Sequence, residues 1–423
     1  MDEKSPNRKR RQRLGKHNMG RENIFVGLEV GTSKICVAVA EAHHDGTLKI
    51  LGVGNAPSRG VRKGEIVDFE TAKRCVHDAI VDAEEKSDVE ISEVYLGITG
   101  GHIRSFNNRG VVLLEEGREE IDEHDLEDVR TNAREVSLPV EDCILHTIIQ
   151  HYYVDGQDGV LNPVGLLGKK LEADFHVVYG IRTRIQNAIR CVKELELDTA
   201  DVVINSFATA QAVLDKQQKQ LGALVIDIGG GTTDFLVYVD GAVKQSGVLA
   251  VGGDHITNDM CIGLKIPTTR AEKLKIEEGS VTLGTAFPGE TIVLRDETGF
   301  AGREIERELV NQVVHIRIRE ILEIVRRLVD AEQNLHYIGA GVLLTGGSSQ
   351  IRGLEDLGSE IFGMPARVAH ALPLAGVTSA FENPQFATAL GLVKYAHLAH
   401  LDRPLEGGLF RRAMQKLSGM FRA

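Results

Sequence analysis

Two short apolar-rich runs, Ile24 to Glu29 and Lys34 to Glu41, flank the turn Val30-Gly31-Thr32-Ser33, and Leu48 to Gly54 follows with the same character. The pattern predicts three strands in a meander around a glycine turn. From Phe69 to Lys86 the period changes: Cys75, Ala79 and Ala83 recur four apart, as on one face of a helix. Glu93 to Ile98 returns to strand. Further helices are predicted at Asp122 to Val136, Ile181 to Leu195, Phe207 to Gln217 and Gly302 to Leu335, so the fold class is α/β.

The second half repeats the opening. Gly222 to Ile228 reads as a strand, Gly229-Gly230-Gly231-Thr232-Thr233 as a glycine turn, and Phe235 to Asp240 and Ala242 to Val251 as two more strands. An acid, an apolar residue and a glycine thus recur at Glu29 and Asp227, about 200 residues apart, which marks a duplication on the scale of a domain. The charged, Gln-rich stretch around Lys216 to Leu221 separates the halves. At 423 residues, the chain is long enough for two to three domains.

The end of the chain has another pattern. Leu398 to Gly408 is a polar, Pro- and Gly-containing linker, after which Phe410, Met414, Leu417 and Phe421 form an apolar stripe at helical spacing, flanked by Leu409, Ala413 and Met420. Arg411, Arg412, Lys416 and Arg422 take the opposite side, giving a short basic amphipathic helix suited to an anionic membrane surface. No apolar run approaches the ~18 residues of a spanning helix, and no secretory signal opens the chain, so a cytoplasmic protein is expected.

Charge sharpens this picture. The net charge is −12, but residues 1–21 carry +6 and residues 407–423 carry +4, leaving −22 on the 385 between them. A body so acidic is a poor nucleic-acid binder through its folded surface. The basic arm at 1–21 has the composition of a solvated tail, with contact to anionic lipid or nucleic acid as its sharper reading. Five widely spaced cysteines without a CxxC pair argue against a disulfide frame or structural zinc and read as small core residues, and the 15 histidines form no metal pattern.

The glycine turns carry the chemistry. A strand ending in a carboxylate and followed by a Gly/Thr hairpin points several backbone N–H groups into one concavity, where an anion is favoured. Two such hairpins facing each other would clamp a polyphosphate, with Glu29 and Asp227 holding Mg²⁺ through its waters. A third cluster, Thr345-Gly346-Gly347-Ser348, follows an apolar strand; it suits either a structural close approach or a base or phosphate set against bare backbone. No GxGxxG after a strand and no GxxxxGK[ST] is present.

In order, LEVGTSK (28–34), VINSFATAQAVL (203–214), VIDIGGGTTDF (225–235), LLTGGSSQI (343–351) and NPQFATALGLV (383–393) resemble the phosphate-1, connect-1, phosphate-2, adenosine and connect-2 segments of the actin, hexokinase and DnaK-type superfamily. Within it, residues 52–70, the stretch 146–174 and the terminal amphipathic helix are similar to the bacterial cell-division FtsA family. The resemblance implies an actin-like (ribonuclease H-like) duplicated two-lobed ATPase fold. Its parts would be a first lobe at 22–101 and 180–216, an inserted subdomain at 102–179, a second lobe at 217–256 and 312–397, and a lobe tip at 257–311. A linker at 398–408 and a membrane helix at 409–423 would follow.

It further implies ATP and Mg²⁺ as cofactors. Gly31, Thr32 and Ser33 would form one phosphate hairpin and Gly229, Gly230, Gly231, Thr232 and Thr233 with Asp227 the other. Gly252 and Gly253 would line the phosphates, Glu272 and Lys275 the ribose side, and Gly346, Gly347 and Ser348 the adenosine. The first hairpin opens with Glu29 where the superfamily generally has Asp, and connect-1 offers Asn205, Ser206 and Gln211 where hydrolysing relatives have a Glu or Gln that orients water, the choice among the three being open; at most slow hydrolysis is expected, with Asp227 and Asn205 as the catalytic candidates. The implied role is an adaptor that self-associates as a filament, binds the C-terminal tail of FtsZ, holds the FtsZ ring to the cytoplasmic face of the cell membrane at the division site and recruits later division proteins. A sugar-type kinase or phosphatase of the same superfamily is the alternative, and a pilus-assembly actin homologue is a third reading.

Overall fold

The computed structural model describes residues 23–43, 46–284, 286–287, 289–295, 301–372, 374–376 and 382–401; the basic arm at 1–21 and the amphipathic segment at 409–423 lie outside them. Two sheets share one wiring. In the first, Leu48–Pro57, Lys34–Ala42 and Ile24–Val30 form an antiparallel meander, to which Glu93–Ile98 and Asp198–Ile204 add in parallel. In the second, Ala242–Leu249, Thr233–Val239 and Ala223–Ile228 form the meander, and Val342–Thr345 and Ala366–Val368 add in parallel. The duplication visible around Glu29 and Asp227 therefore extends to five strands of each central sheet. Ala223–Ile228 and Thr233–Val239 are buried along their full length, which is why they read as continuous apolar runs and not as alternating ones.

Phe69–Ser87 begins where the Asp68 side chain accepts the Thr71 N–H and ends at Asp88, whose φ of 56° closes the helix in the left-handed region. It lays Ala72, Val76, Ala79 and Ala83 on the outer face of the first sheet. Between the two sheets lie Asn205–Val213 and Ala387–Leu401, with Ala210, Val213, Leu390 and Val393 in one core with Val225, Leu236 and Leu343. The tetrapeptide Phe-Ala-Thr-Ala occurs inside the first, from Phe207, and leads into the second, from Phe386. Ala375–Gly376 pairs with Lys49 and Ile50 at the edge of the first sheet, so the last part of the chain, grouped above with the second lobe, reaches back across to the first.

Two helices differ from the sequence expectation. Phe207 to Gln217 is interrupted at Leu214, because Asp215 and Gln218 form a reciprocal capping box that starts a separate short helix, Lys216–Leu221, in the stretch expected only to separate the halves. The long helix starts at Arg307 and ends at Ala331, because Arg303–Glu306 is paired as a strand with Thr291–Leu294.

The segment between the first sheet's strands builds its own sheet, ordered Arg104–Leu113, Lys170–Ile181, Asp142–Val154 and Gln157–Val160. Glu123–Arg134, capped by the Asp122/Asp125 box, covers it with Val129 and Ala133 against Leu171, Ala173, Phe175 and Val177. All five cysteines are free thiols, and Cys36, Cys75 and Cys191 are buried. Among the described residues no helix is long and apolar enough to cross a membrane.

Candidate functional site

The two glycine turns close in the same way. Gly31 N–H donates to the Lys34 carbonyl at 3.1 Å, and Gly229 N–H to the Thr232 carbonyl at 2.9 Å, so Lys34 occupies in one hairpin the place of Thr232 in the other. The hairpins face and touch. A Cβ on Gly230 would come within 2.9 Å of Ser33 Cβ, and one on Gly231 within 2.8 Å of Thr32 Cβ, so side chains at either position would wedge the lobes apart.

A cleft of ≈ 520 Å³ opens beside this contact. Glu29, Gly31, Thr32, Ser33, Asn205 and Asp227 line it from the first hairpin and the cleft floor, and Gly229, Gly230, Gly231 and Thr232 from the second hairpin. Glu272, Lys275, Gly346, Gly347 and Ser348 form the remaining wall. Three of the anticipated residues do not line it. Thr233 is buried with its hydroxyl donating to the Val251 carbonyl at 2.8 Å, while Gly252 and Gly253 pack behind the second hairpin, Gly253 N–H donating to the Gly229 carbonyl at 2.9 Å.

The carboxyl groups of Asp227 and Glu29 line the cleft beside the Lys34 amine. Asp227 accepts from Thr209 Oγ1 and Thr388 Oγ1, each at 2.9 Å, one hydroxyl from each central helix. Burial nonetheless pushes its pKa up, against those two bonds and nearby Lys34. Glu29 is likewise raised, chiefly by burial, with Lys34 opposing and Asp227 adding; its Oε2 has no hydrogen-bond partner, nor has Asn205 Oδ1. Lys34 Nζ donates to the Gln385 carbonyl at 2.5 Å. Among the described residues no three His, Cys, Asp or Glu side chains converge closely enough to hold a metal ion alone.

Asp234 accepts from Thr99 Oγ1 at 2.6 Å, a bond between the lobes, and burial, reinforced by Asp227, pushes its pKa up to about 8. The protonated form is thus favoured by folding. That contribution is complete below the unfolded value near 3.8 and is lost as pH rises through about 8. Asp234→Asn is accordingly expected to make the nucleotide-free protein more stable than its parent above pH ~8, the difference vanishing in acid; thermal unfolding followed across pH checks both halves of the statement.

On the outer wall, Glu272 accepts from Lys275 Nζ at 2.7 Å and from the Thr257 hydroxyl. Lys275 Nζ also reaches Thr257 Oγ1 at 2.9 Å and the Gly253 carbonyl at 3.2 Å, so the two residues, one turn apart, pair on one face of their helix with the amine buried. Sequence reasoning missed Lys34, Thr99, Thr209, Gln385 and Thr388, and treated Asp234 as part of the hairpin. The repeated Phe-Ala-Thr-Ala was the available signal for the two threonines.

Two equivalent sheets, two touching hairpins and paired helices between them define the actin-like class of two-lobed folds. Among solved structures, the PilM–PilN type IV pilus biogenesis complex aligns with a TM-score of 0.61 at 16% identity, covering 90% of this chain and 99% of that one. MreB5 of Spiroplasma citri bound to ADP aligns with a TM-score of 0.51 at 17% identity, covering 89% and 97%. The chain belongs to the cell division protein FtsA family: that family's model matches residues 224–391, and the model of the SHS2 domain inserted in FtsA matches residues 100–179. The cell division protein FtsA of Pseudomonas aeruginosa is 36% identical over 372 residues, 88% of this chain and 89% of the relative. This membership sets aside the small-molecule kinase alternative.

Proposed function

We propose that the chain is an ATP-binding adaptor that self-associates, tethers FtsZ polymers to the cytoplasmic face of the cell membrane at the division site and recruits later division proteins. The observation that carries the nucleotide half is the pair of touching glycine hairpins with buried carboxylates and an unpartnered Glu29 Oε2 at one cleft. The similar fold of MreB5 bound to ADP supports it. Backbone N–H groups of 31–33 and 229–232 would hold the phosphates. Glu29 and Asp227 fit Mg²⁺ bound mainly through water and phosphate, since the site offers few carboxylates and no closed protein cage. Bound there, Mg²⁺ would neutralise charge between the phosphates. Glu272 and Lys275 would face the nucleoside, and Gly347, where an added Cβ would meet nothing nearer than 4.0 Å, leaves room for a flat base. Asn205, which lines the cleft with its Oδ1 unpartnered, would be the residue to orient water, and an amide there suits slow turnover.

For the adaptor half, Ile262, Phe287 and Val293 in the segment 257–311 are exposed apolar side chains that a short peptide such as the FtsZ tail would cover. The amphipathic pattern at 409–423 supports membrane attachment, each large side chain adding roughly 1.5–3 kcal/mol on burial and self-association multiplying the effect. Co-sedimentation with anionic vesicles and FtsZ tests this. The full chain is expected to bring FtsZ down with vesicles, whereas a chain ending at Gly407, or one carrying Phe410→Glu, should leave FtsZ in solution while still binding ATP. Unchanged vesicle binding by those variants would sink the tether.

A further inference from the structure

The inserted sheet touches both lobes. Its strand Asp142–Val154 passes the outermost strand of the first sheet, where His146 Nε2 accepts the Ile204 N–H at 3.1 Å. Against the outermost strand of the second sheet, Ala242–Leu249, the same sheet sets four polar contacts. Ser105 Oγ donates to the Ser246 carbonyl at 2.8 Å, Asn107 Nδ2 to the Lys244 carbonyl at 3.0 Å and Gln150 Nε2 to the Val243 carbonyl at 2.6 Å, and His176 Nε2 lies 2.8 Å from Ser246 Oγ.

The network fixes the proton positions. With Asn107 Nδ2 committed to Lys244, its Oδ1 receives Gln150 Nε2 at 3.0 Å and His176 Nδ1 at 2.8 Å. His176 therefore donates from Nδ1 and accepts the Ser246 hydroxyl at Nε2, while His146 must leave Nε2 unprotonated to accept a backbone N–H. Burial holds both rings toward the neutral form: it lowers His176 to a pKa of about 4, with the nearness of His146 adding, and it lowers His146 against the opposing pull of Asp201.

Each contact lies close to the cleft along the chain. Ile204 immediately precedes Asn205, which lines it, and Ala242–Leu249 leads through Ala250 and Val251 into the Gly252–Gly253 turn behind the second hairpin. A change in the spacing of the lobes must strain one set of these bonds or the other, because a single rigid sheet carries both. We propose that the inserted subdomain is a clasp across the two lobes, in which His146 and His176 are positioning residues that couple nucleotide occupancy of the cleft to docking of that subdomain. This rests on the nucleotide reading above. By linkage the coupling is reciprocal: whatever pulls the inserted subdomain away weakens nucleotide binding, and nucleotide tightens the clasp.

Hydrogen–deuterium exchange of the full chain with and without Mg-ADP tests it. Nucleotide is expected to slow exchange at the hairpins 29–34 and 227–233 and, by about fivefold or more, in the distant strands 142–154 and 170–181. In His176→Ala the hairpins should keep their protection while the strand response disappears, and His176→Gln, which retains a donor and an acceptor, should restore part of it. Ser246→Ala removes the partner hydroxyl without emptying the interface and should likewise blunt the strand response. Hairpin protection with unchanged strands in the parent protein would overturn the clasp alone, as would a full strand response in both His176→Ala and Ser246→Ala. Absence of hairpin protection would overturn the nucleotide reading and the clasp with it.

Discussion

Asp227→Ala is expected to lower the affinity for Mg-ATP about a hundredfold, a loss of ~3 kcal/mol, while leaving the fold intact. The carboxylate sits where the second hairpin leaves its strand, at the cleft floor and across from Glu29. Its removal takes away one of the two groups proposed above to hold the cation. Thr209 and Thr388, which it now receives, have their hydroxyl oxygens 2.9 Å apart and can bond to each other once it is gone. Removing a buried carboxylate also relieves its desolvation, so thermal unfolding without nucleotide should be unchanged or shifted upward. Equilibrium binding and a melting curve on the same preparation separate the two effects.

Gly391→Ala should do the reverse. Gly391 lies on Ala387–Leu401 where that helix crosses Asn205–Val213, and a Cβ there would overlap the Ala208 carbonyl oxygen, with Thr209 N only 3.1 Å away. Neither helix can move aside, because both are held between the sheets by Leu390, Val393, Ala210 and Val213. One added methyl is expected to cost about 3 kcal/mol, read as a lower midpoint in urea unfolding with an unchanged slope. Gly347→Ala is the contrasting case: its Cβ would meet only Gln385 Cβ at 4.0 Å, so stability should hold while nucleotide affinity falls.

These two substitutions also show what the sequence could convey. The hairpins were legible because a carboxylate, an apolar residue and glycine recur with flanking strands, a local pattern that fixes both the turn and the register of Asp227 against Asp234. Gly391 and the threonine pair were not. Their roles depend on two helices some 180 residues apart meeting at one crossing, and no local period encodes that meeting, although the repeated Phe-Ala-Thr-Ala marks it in retrospect. The same holds for Lys34 and Thr99, whose partners Gln385 and Asp234 come from remote segments. Gly252 and Gly253 were expected at the phosphates on resemblance; their packing against the Gly229 carbonyl places them one layer behind. The short helix at Lys216–Leu221 was overlooked because charge and glutamine content outweighed the Asp215–Gln218 capping box.

The inserted sheet illustrates a further limit. An inserted subdomain was expected at 102–179 on resemblance, without its strands, and His146 and His176 looked unremarkable among 15 histidines, since what distinguishes them is the strand edge each one meets.

Titration calorimetry of the purified full chain with ATP in the presence of Mg²⁺, run beside Asp227→Ala, bears most directly on the central claim. One nucleotide bound per chain, lost or weakened about a hundredfold in the variant at unchanged secondary structure, is the result this account predicts. Equal binding by both proteins, or no binding by the parent, would contradict it.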